Sequence, residues 1–397
     1  MKLAIRPAAL VRARLLAGAL VLGSLLAPPP VRAQANDLTS SHDAAIGDVP
    51  APTGPAIAPE YFFYRPGQEF GSTSQFGPVS VVLNRGFSTI VWSEAERRPL
   101  HIDWGNGWTN VRESLTHPAR VAESQGGVGE FLFGEFGPKG SVWQWAFATN
   151  LMGHVVGGGI TYRALGEWYD AHGVPYPMVA GAASAMGVIL INEMIVVQHL
   201  DEGSPSTWSD VYVFEPIGIA LFSFDPVARF FARTLKAQDW SPQASIVLPT
   251  GELVNSSQVM AYRVPLPFID RLDVLSVTGM GTQTGVIWDL DAEHSIGGGI
   301  GFQAKERVYD EAGREQLRAR ASGGLYLSRR TSLLASLNLY HGLDRRAALN
   351  VYPGVLGGPL RNVGLWTVLD RDGRVDLGIT ALALPGVGLG WGVNRQR

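Results

Sequence analysis

The sequence predicts an α+β protein: a helical module followed by an antiparallel transmembrane β-barrel of about 8–12 strands. Three observations carry that expectation. Residues 386–393 read Gly-Val-Gly-Leu-Gly-Trp-Gly-Val. A strand there sets Val387, Leu389, Trp391 and Val393 on one face and only glycine on the other. Glycine weakens a soluble strand, whereas a membrane barrel can turn the apolar row to lipid and the bare row to a crowded or watery interior. Second, residues 240–397 alternate in the same way over several runs. Third, residues 141–239 hold apolar runs of helical length instead.

The chain opens as a secretory signal peptide over residues 1–33. Lys2, Arg6, Arg12 and Arg14 precede the apolar core Leu15–Leu26, and Val31-Arg32-Ala33 offers a cleavage site after Ala33. The prolines Pro28 to Pro30 close a run too short for a span of about 20 residues. The chain has no cysteine, so it has no lipoprotein acylation site and no disulfide framework. Removing the five basic residues of the signal leaves 27 basic against 35 acidic residues, a net of −8. No basic patch suits nucleic acid.

Residues 34–60 are rich in Pro, Ala, Ser and Asp without period and read as a flexible linker. Residues 61–140 read as an irregular or β segment, with short strands at Val79–Leu83 and Ser88–Trp92 and a turn at Trp104–Trp108. The helical module, 141–239, has helices over Ser141–Trp168 and Pro175–Leu200. A third starts near Ser209, and a fourth runs Pro226–Lys236 with Asp225 as its cap. Dense Gly and Ala in the first two allow close backbone approach. Residues 240–397 are β. Strands cover 295–303, 317–328, 332–340, 375–384 and 386–393, with about ten in all. Tight turns near Asp291, Arg329 and Pro385 against longer loops at Arg307–Gln316 and Pro353–Arg361 predict one short-turn rim and one long-loop rim. Trp288, Tyr340, Trp366 and Trp391 are candidate interface aromatics, while Arg318, Arg320, Ser322 and Tyr326 share a polar row. An antiparallel soluble barrel or sandwich also alternates.

The polar residues of the helical module stand out against their apolar surroundings. Asn150 and His154 lie one turn apart, and Arg163, Glu167 and Asp170 follow. Asn192-Glu193 interrupts the second apolar run, and Ser209-Asp210 and Glu215 open the third helix. A buried Glu193 needs a partner, with His154 or Arg163 the candidates. His154, Glu193 and Asp210 form a candidate catalytic set of acid, base and orienting group. Alternatively they join Asn150, Arg163, Glu167 and Asn192 in a polar network that ties the helices together. No histidine spacing suits a metal, and no cofactor motif is present. A Gly-x-Ser-x-Gly motif is absent, leaving His294-Ser295 and Tyr340-His341 as the only hints of an outer-membrane lipid hydrolase. Gly297–Gly301 reads as strand, not phosphate loop.

The pattern Asn150-x-x-x-His154-x-x-Gly157-Gly158, Tyr162-Arg163, Asn192-Glu193, Ser209-Asp210 and Pro216-x-Gly218 resembles a family of Gram-negative envelope proteins known only as a domain of unknown function. In that family a helical segment with an Asn…His-Pro motif and a Glu…Asp pair precedes or enters a β-barrel. Val155 stands where the family tends to have proline. The Glu…Asp part is also similar to small glycopeptide-resistance-type membrane proteins. The resemblance spans Asn150 to Phe222 and implies an outer-membrane location without an activity.

The resulting expectation is an exported outer-membrane protein with a periplasmic or lumen-packed helical module. Its partners are outer-membrane lipids and envelope proteins, and its role is non-enzymatic: envelope organisation or passage of lipid or small molecules. The alternatives are an envelope lipid hydrolase or acyl-modifying enzyme using His154, Glu193 and Asp210, a periplasmic location, and an inner-membrane span at Met178–Leu200. Asn192-Glu193 counts against that span.

Overall fold

The computed structural model describes residues 60–91, 96–124, 126–129, 131–132, 151–309 and 315–393. The expected signal peptide, nearly all of the linker, the start of the 141–168 helix with Asn150, and residues 394–397 lie outside the described residues.

The expected strands at 79–83 and 88–92 are helical turns instead: an α-turn Pro78–Val81, a π-helical turn Val82–Gly86 and a 3₁₀ turn Ser88–Val91. Pro78 is pre-set for a first helical turn. Ser80 closes that turn by accepting from the Gly77 N–H at 2.9 Å and donating to the Gly77 carbonyl at 2.9 Å. The expected turn at Trp104–Trp108 begins helix α1, Trp104–Thr116, whose N-cap Asp103 accepts from the Asn106 N–H. No strand occurs among the described residues of 61–132.

The helical module follows expectation more closely. A π-helical segment Leu151–Gly158 runs into α2, Gly159–Ala171, and α3 covers Pro177–Val197. A short helix Pro205–Ser209 and a π-turn Asp210–Phe214 lead into α4, Glu215–Phe222, and α5 spans Asp225–Arg229. Asp225 does not cap α5: Phe224 holds that position, and Asp225 pairs with Arg163 at 2.8 Å. Small residues do bring backbones together. A Cβ on Gly181 would lie 2.9 Å from the Tyr162 carbonyl, and one on Gly218 would lie 2.6 Å from that of Val155. Among the described residues only α3 is by itself long and apolar enough to cross a membrane.

The rest is one sheet of 13 strands, more than expected, in the order β1-β4-β5-β6-β7-β8-β9-β10-β11-β12-β13-β2-β3. Three are minor: β1 (Gln238–Asp239), β2 (Ser245–Val247) and β3 (Glu252–Val254). The long strands are β4 (Val259–Pro265), β5 (Leu272–Gly279), β6 (Gly281–Asp289), β7 (His294–Tyr309), β8 (Glu315–Arg329), β9 (Ser332–Tyr340), β10 (Arg345–Val351), β11 (Val363–Asp370), β12 (Val375–Ala381) and β13 (Gly388–Val393). All pairings are antiparallel except β13 with β2, which is parallel. The ladder is not closed, because β1 and β3 are its edges. Short links nevertheless join the two edge regions, 240–244 between β1 and β2, and 255–258 between β3 and β4.

The helices lie across these edges. Met260 and Tyr262 of β4 share a core with Ile160, Phe222 and Phe231, whereas Ala261, from the opposite face, packs with Leu275, Ile287 and Tyr326 inside the sheet. Ile246 of β2 and Leu253 of β3 pack on Phe87, Ile90 and Ile195. Edge strands left bare invite pairing with other chains, and the helical cover removes that hazard.

Antiparallel order puts the connections after β4, β6, β8, β10 and β12 on one rim and those after β5, β7, β9 and β11 on the other. The long 352–362 loop therefore shares a rim with the tight turns near 291, 330 and 385, so the expected division into short and long rims does not hold. Residues 70–80 cross this first rim. The Gly71 N–H donates to the Pro353 carbonyl at 2.8 Å, the Thr73 N–H to Ser332 Oγ at 3.1 Å, and the Gly386 N–H to Gln75 Oε1 at 3.3 Å.

The two faces of the sheet differ in polarity. Ile300 is 79 % exposed and Leu325 60 %, and Val286, Trp288, Ile296, Leu339, Ile379, Trp391 and Val393 join them on the convex face. The concave face buries Gln283, Ser295, Ser322, Ser336, Asn350 and Thr380. The glycines of β13 face inward. Gly378 and Gly390 make room for the Trp366 ring, because a Cβ on either would fall within 2.6 Å of it. Trp366 is accordingly buried in the concave core and is not an interface aromatic.

Candidate functional site

Three polar residues of the helical module, His154, Asp210 and Glu215, meet Arg85 in a buried cluster whose centre is Glu215. Arg85, from the π-turn 82–86, clasps the Glu215 carboxylate in a bidentate pair, Nη1–Oε1 2.9 Å and Nη2–Oε2 2.5 Å. His154 sits between two acids, with Nδ1 3.8 Å from Glu215 and Nε2 3.6 Å from Asp210. The Glu215 side chain is fully buried, and that of His154 is 18 % exposed. Burial opposes the imidazolium, but the Asp210 and Glu215 carboxylates outweigh it and hold the His154 pKa above its ordinary value. Burial likewise opposes the Glu215 carboxylate, and Arg85 with His154 brings its pKa below the usual range. With His154 protonated, two cations face two anions, an arrangement that lets a buried charge set survive in an apolar helix bundle.

Glycine makes the room. A Cβ on Gly158 would lie 2.6 Å from Glu215 Oε2 and 2.7 Å from Arg85 Nη2. Gly158→Ala is therefore expected to cost on the order of 1–3 kcal/mol by overpacking. Gly187→Ala, where a Cβ meets nothing within 4 Å, should be neutral or gain up to about 1 kcal/mol from helix propensity. Paired thermal melts check both.

The expected set is only partly assembled. His154 and Asp210 meet. Among the described residues no ion pair joins Glu193 to His154 or to Arg163; the Glu193 carboxylate accepts from Thr207 Oγ1 at 2.7 Å. Asn192 Nδ2 reaches the carbonyls of Arg85 and Gly86 at 3.3 and 3.2 Å, so it fixes the turn that presents Arg85. Arg163 and Glu167 belong elsewhere. Glu167 accepts from the N–H groups of Phe62, Phe63 and Tyr64 at 2.8–2.9 Å and from Arg163 Nε at 3.1 Å, pinning residues 62–64 to α2. Among the described residues no hydroxyl is hydrogen-bonded to His154 to serve as a nucleophile, and no group of three His, Asp or Glu side chains is placed to hold a metal. Arg85, the residue missed, lies in the stretch expected to be β.

The two histidines considered for a lipid hydrolase sit on opposite rims. His294 pairs with Asp291 in the β6–β7 turn at 3.0 Å, and His341 follows β9 at the other end of the sheet. They cannot share a site. Comparison with family models, curated proteins and solved structures finds no match to this chain.

Proposed function

We propose that the chain is an exported outer-membrane protein whose β4–β13 sheet meets lipid with its convex face. Its helical module seals the sheet edges, and its role in the envelope is non-enzymatic. One observation carries this: the exposed face is apolar and the enclosed face is rich in Ser, Asn, Gln, Arg and Asp, the reverse of a water-soluble sheet. An apolar surface of this extent would associate or aggregate in water. The links 240–244 and 255–258 and the helices across the edges support a sheet that is sealed as a barrel without a continuous ladder. Trp240, Tyr326, Tyr352 and Trp366 are buried inside it, which favours a plugged cylinder over an open channel. The resemblance through His154, Glu193, Asp210 and Gly218 points to the same location.

The Arg85–Glu215–His154–Asp210 cluster is read as the polar tie that holds the helical module in shape. The enzyme reading rests on the His154–Asp210 approach alone. The test is fractionation with outer membrane together with heat-dependent migration on a denaturing gel. A detergent-free, water-soluble monomer would sink the proposal. His154→Gln should lower stability in proportion to any other loss. A stable variant that has lost a lipid-modifying activity would favour the enzyme.

A further inference from the structure

Helix α3 has a surface that water does not explain. Of its 21 residues only Ser184, Asn192 and Glu193 are polar. All three are satisfied inside the module. Ser184 Oγ lies 2.8 Å from Tyr169 Oη, Asn192 reaches the carbonyls of Arg85 and Gly86, and Glu193 accepts from Thr207. Polar and ionisable residues of a helix in lipid turn inward to such partners, so Asn192-Glu193 does not count against a lipid setting. A helix that is apolar all round is either buried in protein or set in a membrane. Only eight of the 21 residues of α3 are buried. Val179, Ala183, Gly187 and Leu190 recur at helical spacing along its outer side. Val179 is 68 % exposed, Ala183 is exposed, and a Cβ on Gly187 would meet nothing within 4 Å.

The helix also spans the height of the sheet. Its 21 residues rise about 31 Å at about 1.5 Å each, close to the roughly 30 Å of a hydrocarbon core. It starts at the first rim. Tyr176, 81 % exposed, precedes it, and Trp168 on the adjoining end of α2 stands 3.5 Å from where a Cβ on Gly77 would lie, in the segment that crosses that rim. Val188 then packs with Val81, and Ile195 with Leu253 of β3. Glu252, beside Leu253, pairs with Arg374 on the second rim. The last carbonyls of the helix are capped by protein: those of Val197 and Leu200 accept from Asn110 Nδ2 at 2.9 and 2.8 Å, and that of Gln198 from Asn106 Nδ2 at 2.6 Å. Aromatic side chains at one end and Gln198, His199 and Asp201 at the other suit two membrane interfaces.

We propose that the outer face of α3 lies against lipid acyl chains, so that the helical module shares the bilayer with the sheet and is neither a periplasmic appendage nor a plug in the lumen. The inference rests on the reading that the convex face meets lipid, and it extends that contact to the helices. The two surfaces are continuous. The module packs on β4 through Met260 and Tyr262, on the side opposite the enclosed Ala261, and Val264 on that same side is 45 % exposed. A helix seated there occupies the layer that the neighbouring strands occupy.

The chain has no cysteine of its own, so one introduced thiol carries a spin label to a single site. Val179→Cys, Ala183→Cys, Gly187→Cys, Ile300→Cys and Asp201→Cys are each made in the full chain and folded into phosphatidylcholine vesicles. None of the five positions is buried, so the substitutions leave the packing intact. Relaxation of the label by oxygen, which concentrates in lipid, is compared with relaxation by a water-soluble nickel chelate. The three α3 labels should favour oxygen as strongly as the label at Ile300, and the label at Asp201 should favour nickel. Gly187, at mid-helix, should lie at the depth of Ile300 to within one helical turn, about 5 Å. Oxygen at Ile300 with nickel at the α3 sites would place the module in water and overturn the inference, while the sheet reading survives. Labels on α3 that neither reagent reaches would reveal a protein cover and overturn it as well. Nickel at Ile300 would overturn the sheet reading and the inference together.

Discussion

Glu215→Ala should unfold or grossly loosen the helical module, at a cost of about 3–5 kcal/mol. The reason is what it leaves behind. Arg85 is 5 % exposed and would keep its charge with no bidentate partner, and His154 would lose one of its two acids. Replacing one member of a buried pair costs far more than replacing both with apolar groups of similar size. Arg85→Met combined with Glu215→Leu should therefore recover most of the loss, and a double-mutant cycle in urea measures the difference. Equal instability of the single and double variants would show that the pair itself is not the source.

The same cluster sets a pH profile with a definite sign. The folded His154 pKa is raised, so its contribution is fully present below the unfolded imidazole value of about 6.5 and is lost as pH climbs through the folded value. The folded Glu215 pKa is lowered, so its contribution is present above the unfolded carboxylate value of about 4.3 and is lost as pH falls through the folded one. The cluster is thus worth most between those two unfolded values. In His154→Gln the alkaline fall in melting temperature should flatten while the acid limb remains.

How much of this was legible depends on the range over which each feature is encoded. The long strands could be read because alternation is local: the expected 332–340 coincides with β9, and 317–328 differs from β8 only at its ends. The parity of Trp366 could not be read, since Val363–Leu369 is apolar on both faces. Only the bare positions Gly378 and Gly390, on neighbouring strands, decide which way that ring turns. Val79–Leu83 misleads because a short β-branched run looks the same in a strand or a packed turn. What settles it is the fit against α3, where a Cβ on Gly86 would already crowd Ile191 at 3.2 Å. The Arg85–Glu215 pair joins residues 130 positions apart, and no local period connects them. Glu193 was visible as a costly buried charge, but its Thr207 contact follows from how the chain turns after α3, which composition does not encode.

If the convex face meets lipid as proposed, Ile300→Arg should destabilise the protein by about 2–4 kcal/mol when folded in phosphatidylcholine vesicles, because a guanidinium at the bilayer midplane is expensive. Ile300 is the most exposed large hydrophobic side chain on the described strands; it pairs with Thr284 in mid-β6 and with Gly323 of β8. Val393, at the end of β13 on the second rim, provides the depth control: Val393→Arg should cost only about 0–1 kcal/mol there. Ser322, on the enclosed face, tests the other side of the sheet. Its hydroxyl accepts from Gln283 Nε2 at 3.3 Å, so Ser322→Leu would strand that amide and crowd Tyr326, whereas Leu325 stands on the exposed face. In water the order reverses. An arginine on a solvated sheet face shifts stability by no more than about 0.5 kcal/mol and improves solubility. Urea unfolding of Ile300→Arg and Val393→Arg side by side therefore reads the solvent of the convex face directly. If the two variants match the parent and stay monodisperse without detergent, that face meets water and not lipid.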